Sequence, residues 1–341
     1  MAELTVGTRR FNTATTRRSP FFEFLHRLFR EKPLGAFGAV VCVVFLFTGI
    51  FAELIAPYGY NEMNPIDRLK APSITYWLGT DQIGRDVFSR IVHGARTSLI
   101  IGFSAAFISI LISTFIGVTT GFFRGKFDMI VQRMVDAWMS FPDLVVVIVA
   151  VSVFGPGMWQ VILVLSLLYG IAGSRIVRSA VLTVKENDYV RAAESIGVSV
   201  PRILFRHILP NIMAPLIVLF TTRLAAVILV EAALSFLGLG VPPPAPSWGG
   251  MLSFEGRSYM FQAPWLAIMP GLAITIVVYN INMFGDAMRD LLDPRMRGFG
   301  GKKKTGQFKK CAYFRVSVRA LTLLGVFCIP IWRAGGRGRG V

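Results

Sequence analysis

Residues 191–210 read Arg-Ala-Ala-Glu-Ser-Ile-Gly-Val-Ser-Val-Pro-Arg-Ile-Leu-Phe-Arg-His-Ile-Leu-Pro. This charged, amphipathic segment stands between two long apolar runs, so it must leave the bilayer that its neighbours occupy. Ala192, Ala193 and Ile196 share one side of a first short helix, and Gly197 supplies the break after it. A short exposed helix held between membrane spans is suited to docking into a groove on a soluble partner.

The second half of the segment predicts another short helix. Ser199 is the expected N-cap, with Pro201 in the first turn, where a missing N–H costs nothing, and Pro210 as the stop. The expected apolar stripe and its basic neighbours are Ile203, Leu204 and Ile208, flanked by Arg202 and Arg206.

The composition of the whole chain is that of a membrane protein. Apolar residues make up 54% and charged residues only 16%, with a mean hydropathy of +0.59. A bilayer core of roughly 30 Å needs about 20 apolar residues per helix. Six runs reach that length, at about residues 35–56, 97–120, 131–153, 158–175, 212–236 and 265–285. We therefore expect an all-α integral membrane protein with six transmembrane helices, the first an anchor rather than a cleaved signal peptide.

The distribution of lysine and arginine predicts the orientation of these helices. The segment before the first span carries Arg9, Arg10, Arg17, Arg18, Arg27, Arg30 and Lys32. The connections 121–130 and 175–210 are also basic, whereas 154–157 has no basic residue and 237–264 has only Arg257. Both termini are therefore expected in the cytoplasm.

The net charge of +17 does not indicate nucleic-acid binding. Ten basic residues and no acidic residue follow residue 300, and the remaining +7 fits a membrane protein with basic cytoplasmic loops. We expect 298–341 to be a basic, poorly ordered tail, with attachment to the anionic cytoplasmic leaflet as the alternative.

No pattern for catalysis or for a metal or cofactor site is found in the sequence. The three histidines lie far apart without a cysteine or acid at ligand spacing, and the three cysteines form no disulfide framework. Neither lysine-containing glycine segment, 121–126 or 298–302, matches a phosphate-binding loop. We therefore expect no catalytic residue, no bound metal and no cofactor.

The spacing within 191–210 resembles the cytoplasmic loop of ABC importer permeases. That pattern runs Glu-Ala-Ala, three residues, Gly, nine residues, Ile, one residue, Leu-Pro. The positions in register are Ala192, Ala193, Gly197, Leu209 and Pro210. Two positions depart from it, because Arg191 stands at the Glu and His207 at the Ile.

In that family the loop is the coupling helix that docks on the ATP-hydrolysing subunit. The resemblance therefore implies this role for 191–210, with Arg191, Arg202 and Arg206 among the contacts. Because the chain has no nucleotide site of its own, ATP hydrolysis is expected to come from partner subunits.

Other stretches resemble the dipeptide/oligopeptide/nickel branch of these permeases, and together the likeness covers roughly residues 18 to 297. They are 78–99, 136–142, 231–240, 247–250 and 282–294. An N-terminal span followed by a five-span core is the arrangement of the C-type half of heterodimeric peptide permeases. The implied domains are a cytoplasmic segment 1–34, a first transmembrane helix and extracytoplasmic loop 35–96, a permease core 97–297 and the tail 298–341.

The resemblance implies a multi-pass permease of the bacterial inner membrane. A peptide delivered by an extracytoplasmic solute-binding protein would pass between this chain and a homologous permease, driven by two ATP-binding subunits. One alternative is a nickel or other small-solute permease of the same branch. The other is an ion-coupled carrier or channel, a class expected to carry broken helices, internal repeats or several buried acids at the midplane.

Two ionisable residues, Arg223 and Glu231, lie inside the fifth predicted span. An arginine facing hydrocarbon at the centre of a bilayer costs roughly 2.5–3.5 kcal/mol by insertion scales. We therefore predict that both side chains face the translocation pathway or the partner permease, with a place for Glu231 near the outer interface as the alternative.

The polar segment 78–99 before the second span is open to two interpretations. It is either a structured cap with internal ion pairs or a surface that contacts substrate. Asp81 and Asp86 do not indicate a calcium loop, because Gln82 and Ile83 break the alternation of acids that such a loop needs.

Overall fold

The computed structural model describes residues 20–292, which are mostly helical and form no β-strand within that range. The α-helices, in chain order, are α1 (Pro20–Glu31), α2 (Pro33–Ile50), α3 (Ala52–Ile55), α4 (Val87–Phe123), α5 (Gly125–Met139), α6 (Asp143–Phe154), α7 (Met158–Lys185), α8 (Asp188–Ser195), α9 (Val200–Ile203), α10 (Met213–Phe236), α11 (Trp248–Gly250), α12 (Arg257–Tyr259) and α13 (Trp265–Leu292). The expected tail 298–341 and most of the segment 1–34 lie outside the described residues.

Five helical segments in the described range are long and apolar enough to cross a membrane. They are α2, α4, α7, the continuous stretch Val200–Phe236 that contains α10, and α13. A sixth span results if α5 and α6, which are bent by 86° at their junction, are counted as one. The all-α membrane fold predicted from the apolar runs is confirmed.

The third predicted span, 131–153, is not a straight helix. The break falls at residues 140–142, and α6 begins directly after Pro142. Proline disfavours the helical conformation in the residue before it and donates no hydrogen bond, so Phe141 cannot continue α5. With 12 residues, α6 is only about 18 Å long, which is shorter than the hydrocarbon core.

The second span begins ten residues before the predicted start at residue 97. Asp86 is the N-cap of α4 and accepts a 2.8 Å hydrogen bond from the backbone N–H of Ser89. The 37 residues of α4 extend about 55 Å, well beyond a bilayer core. Apolarity marks only the part of this helix that crosses lipid, which is why hydropathy placed its start too late.

The helices α4 and α7 pack along much of their length because small residues lie between them. A Cβ at Gly117 would lie 2.6 Å from the Cβ of Val177 and 2.7 Å from the carbonyl oxygen of Ser174, so only glycine fits there. The buried Ser113 hydroxyl donates a 2.7 Å hydrogen bond to the carbonyl of Gly170 across the same interface. Close backbone contact of this kind fixes the position at which α7 leaves the bundle.

Candidate functional site

The stretch between α7 and α10 forms two short helical pieces joined at Gly197, as predicted. Gly197 has φ +76°, in the left-handed region that favours glycine. Its N–H bonds to the carbonyl of Glu194 at 3.1 Å, and the N–H of Val198 bonds to that of Ala193 at 3.1 Å. These bonds satisfy carbonyl groups at the end of α8 and turn the chain sharply into α9.

The prediction that Pro210 ends the second helix is wrong. After α9 the chain continues as a π-helical turn, Leu204–Ile208, a 3-10 turn, Leu209–Ile212, and then α10. Pro210 falls in the first turn of the 3-10 segment, so the change of helix type accommodates its missing N–H. Ser199 stands at the predicted N-cap position, but its side chain makes no capping hydrogen bond.

The inner face of this segment is packed against the ends of α4 and α7. The buried residues of the segment are Val190, Ala193, Ile203, Ile208 and Ile212, and those they contact include Phe122, Val177 and Val181. At each buried aliphatic side chain, contact with the bundle contributes about 1.5–3 kcal/mol. The segment is therefore held in place rather than tethered as a free loop.

Two large apolar side chains on the outer face of the segment are strongly exposed, with arginines near them in sequence. Ile196 is 80% exposed and Phe205 is 71% exposed. The other predicted docking residues on the exposed surface are Arg191, Ala192, Arg202, Arg206 and Pro210, whereas Ala193 is buried and Leu209 is half-buried. We call Ile196, Arg202, Phe205 and Arg206 the docking face.

Phe205 was not among the residues predicted for this role. The signal was present, since Phe205 lies three positions after Arg202 and is therefore only about 60° from this arginine around the helix. A large aromatic residue on the polar side of a short amphipathic helix indicates contact with another protein.

Polar contacts hold the second half of α7, which leads into this segment, against the neighbouring helices. Lys185 donates a 2.8 Å hydrogen bond to the carbonyl of Phe122 and lies 4.4 Å from the centre of its ring. Arg178 forms two 2.6 Å hydrogen bonds with the carboxylate of Asp128, a bidentate link between α7 and α5. These contacts fix α7, after which the segment begins, against α4 and α5.

The structure separates the two ionisable residues of α10. Glu231 is 1% exposed and accepts hydrogen bonds from Ser235 at 2.8 Å and from Ser98 of α4 at 3.4 Å. Its carboxylate thus faces the interior of this chain, whereas the sequence predicted that it faces the translocation pathway or the partner permease. Arg223 is half-buried, with its guanidinium carbon 4.8 Å from the ring centre of Tyr169.

The segment 78–99 forms internal ion pairs. Arg85 bonds to Asp81 at 2.5 Å and to Glu255 at 2.7 Å, and Arg90 bonds to the same two carboxylates at 3.0 and 2.9 Å. All four side chains are less than 10% exposed, so we call them the buried ion cluster. It joins the start of α4 to the connection between α10 and α13.

The pKa of Glu255, which lies outside the membrane-spanning helices, is raised to about 7. Desolvation is the largest cause, the charge of Asp81 adds to it, and Arg85 opposes the shift. No group of three His, Cys, Asp or Glu side chains suited to a metal ion occurs among residues 20–292.

Two family profiles match the chain. One, described as the inner membrane component of binding-protein-dependent transport systems, matches residues 109–298. The other, the N-terminal transmembrane domain of oligopeptide transport permease C, matches residues 19–72.

Known proteins align over most of the chain. The dipeptide transport system permease protein DppC of Alkalihalophilus pseudofirmus is 39% identical over 279 residues, 82% of this chain and 91% of that protein. The glutathione transport system permease protein GsiD of Escherichia coli O6:K15:H31 is 39% identical over 282 residues, 82% of this chain and 92% of that protein. Among solved structures, an inward-facing form of the MetNI methionine ABC transporter matches 60% of this chain and 96% of that chain, with 20% identity and a TM-score of 0.49.

Proposed function

Because this chain belongs to the family of binding-protein-dependent ABC importer permeases of the inner membrane, we propose that the substrate it carries is a peptide. The relatives described above, a dipeptide permease and a glutathione permease, support this substrate class at 39% identity. The match of residues 19–72 to an oligopeptide permease domain supports it independently of the core.

Uptake into cells that lack the gene, complemented with this chain, tests the substrate class. We expect labelled dipeptides or glutathione to enter only when the gene is present, and to require ATP rather than an ion gradient. Uptake of nickel without peptide uptake would instead identify the small-solute alternative of the same branch.

We propose further that the docking face binds an ATP-hydrolysing subunit, and that this chain hydrolyses no ATP itself. The observation that carries this proposal is the combination of a fixed inner face with Ile196 and Phe205 exposed among arginines. Apolar anchors surrounded by polar groups are the arrangement typical of protein interfaces. The remaining partners would be a homologous permease and an extracytoplasmic solute-binding protein.

The docking face requires that both termini lie in the cytoplasm. Reporters that are active only in the cytoplasm are expected to function when fused at residue 20 or after residue 297, and to fail near residues 70 and 250. The reason is the excess of lysine and arginine before α2 and between α7 and α10. An active reporter at residue 250 would contradict this topology and would place the docking face outside the cell.

Arg223 and Glu231 are expected to differ in their access to water. The half-buried Arg223 remains our candidate for a pathway-facing residue, because an arginine at this depth avoids hydrocarbon. In the assembled transporter, a cysteine at position 223 should react with a water-soluble thiol reagent in at least one nucleotide state. A cysteine at position 231 should resist it, since Glu231 is 1% exposed. The opposite order of reactivity would show that α10 presents its other face.

A further inference from the structure

The helix α13 exposes a continuous polar face over more than half its length. The polar or charged side chains exposed on it are Thr275, Tyr279, Asn282, Asp286 and Arg289. With 100° per residue, all five fall within an arc of about 80°, and they extend about 21 Å along the axis. The largest of these side chains, that of Tyr279, is 63% exposed.

The opposite side of α13 is packed inside the chain. Ile274, Val277 and Ile281 are buried and belong to a core cluster with α2, α4 and α10. Gly38 of α2 approaches so closely that a Cβ there would lie 2.6 Å from the carbonyl oxygen of Asn280. The polar arc therefore belongs to the side of α13 that this chain leaves uncovered, where it lies beside the exposed apolar residues Leu272 and Ile276.

Contact with lipid hydrocarbon is unfavourable for most of the side chains in this polar arc. The Thr275 hydroxyl bonds to the carbonyl of Gly271 at 2.8 Å, which lets threonine enter hydrocarbon at little cost. The side-chain amide of Asn282 donates a 3.0 Å hydrogen bond to the carbonyl of Val278, which satisfies only part of its hydrogen-bonding capacity. Asp286 and Arg289 carry charge, and charged groups in transmembrane helices face water-filled cavities or partner groups.

A cleft of about 450 Å³ lies beside the same face, between α7, α10 and α13. Its apolar walls include Ile176, Pro215 and Val218, while Thr222 and Arg289 supply polar groups. An apolar cleft with a few convergent polar groups is typical of a small-molecule site. Arg289 therefore connects the polar arc to a cavity large enough for a short peptide.

We propose that the polar arc of α13 and this cleft form a water-filled wall of the translocation pathway, where Arg289 binds the C-terminal carboxylate of the peptide. Arginine suits this role because its planar guanidinium can bind a carboxylate through two hydrogen bonds. Thr222, Tyr279 and Asn282 offer hydrogen bonds to the peptide backbone. The assignment of a carboxylate ligand rests on the proposed function, whereas the exposure of the arc to water does not.

Cysteine labelling in the assembled transporter tests the water-filled wall. In a background with the native cysteines replaced, single cysteines are placed at Tyr279, Asn282 and Asp286, with Val43 on the exposed apolar face of α2 as the matched control. The ratio of labelling by a charged, water-soluble reagent to labelling by a lipid-soluble one is expected to be about tenfold or more above the control. Equal ratios would show that the arc faces lipid. Protection from both reagents in every nucleotide state would show that it is a contact between permeases. Either result overturns the proposal.

Uptake kinetics test Arg289 separately. Arg289→Gln is expected to raise the KM for a dipeptide with a free carboxylate by about tenfold, and to leave uptake of the same peptide as its C-terminal amide unchanged. Arg289→Lys should recover part of the loss, because the positive charge remains. An equal effect on both peptides would refute the carboxylate contact. If the wild-type chain carries no peptide at all, the substrate proposal fails, while the labelling result still decides the wall.

Discussion

Phe205→Ala is expected to abolish most ATP-driven uptake while the chain still inserts into the membrane. Phe205 is 71% exposed, so its removal leaves the fold intact and affects only a bound partner. An aromatic anchor at the centre of an interface is worth about 2 kcal/mol or more, which corresponds to roughly 30-fold weaker association. The measurement is the amount of ATP-hydrolysing subunit that co-purifies with the permease, together with peptide uptake.

The control for this variant is Phe261→Ala. Phe261 is 94% exposed and lies in the connection between α10 and α13, which is expected on the other side of the membrane. Phe261→Ala should leave the association of the permease with the ATP-hydrolysing subunit unchanged. Charge reversal of both Arg202 and Arg206 should reproduce the effect of Phe205→Ala and uncouple ATP hydrolysis from transport. Wild-type association and uptake in both docking-face variants would rule out this surface as the contact.

Substitutions of Gly197 change the conformation of the segment without changing the side chains of the docking face. A Cβ at Gly197 would meet nothing within 4 Å, so Gly197→Ala introduces only the strain of φ +76°, about 1–2 kcal/mol. Gly197→Pro cannot adopt this φ and also removes the hydrogen bond to Glu194. We therefore expect the alanine variant to retain partial uptake and the proline variant to lose it.

One continuous helical stretch connects the proposed docking face to α10. From Val200 to Phe236 the chain is helical without interruption, although the helix type changes three times. A displacement of Phe205 would therefore be transmitted along this helical stretch to Arg223 and to the contacts between α10 and α13. Phe205 itself lies in the π-helical turn Leu204–Ile208, and such turns occur frequently at functional sites.

The sequence predicted those parts of the fold that depend on local chemistry. Apolar run length predicted the spans, and the permissive conformation of glycine predicted the turn at Gly197. Pro210 was misjudged because proline breaks only an ideal α-helix, and the chain could change to π and 3-10 turns instead. The bend before α6 was foreseeable as a kink at Pro142, but its size depends on packing that no local pattern records.

The candidate sites divide in the same way. The register of the docking segment could be predicted, whereas the burial of Glu231 could not, because it depends on Ser98, 133 residues earlier in the chain. The partners of Asp81 and Arg85 were unclear for the same reason. Glu255 lies 170 residues from Arg85, and only the packing of α4 beside the connection after α10 brings the two together.

Arg85→Ala is expected to destabilise the folded chain more than any substitution of an exposed arginine. It removes the bonds of 2.5 Å to Asp81 and 2.7 Å to Glu255, and leaves buried carboxylates with Arg90 as their remaining cation in the buried ion cluster. Breaking a buried pair by deleting one partner costs about 3–5 kcal/mol. The control is Arg96→Ala in the nearby first turns of α4, whose pair with Glu53 is 48% and 80% exposed and contributes about 0–1 kcal/mol.

The destabilisation caused by Arg85→Ala should also depend on pH, and the sign follows from Glu255. Burial already raises the pKa of Glu255 to about 7, above its value in the unfolded chain, and loss of Arg85 raises it further. At pH values between the pKa of Glu255 in the unfolded chain and its higher pKa in the folded variant, the folded variant binds a proton that the unfolded chain lacks. The stability of the variant therefore falls as the pH rises through this range. Thermal unfolding of the purified transporter at pH 6 and pH 8 measures this, with a larger difference between Arg85→Ala and wild type expected at pH 8. Equal losses at both pH values, or a loss no greater than that of Arg96→Ala, would mean that the charge of Arg85 does not stabilise the buried carboxylates.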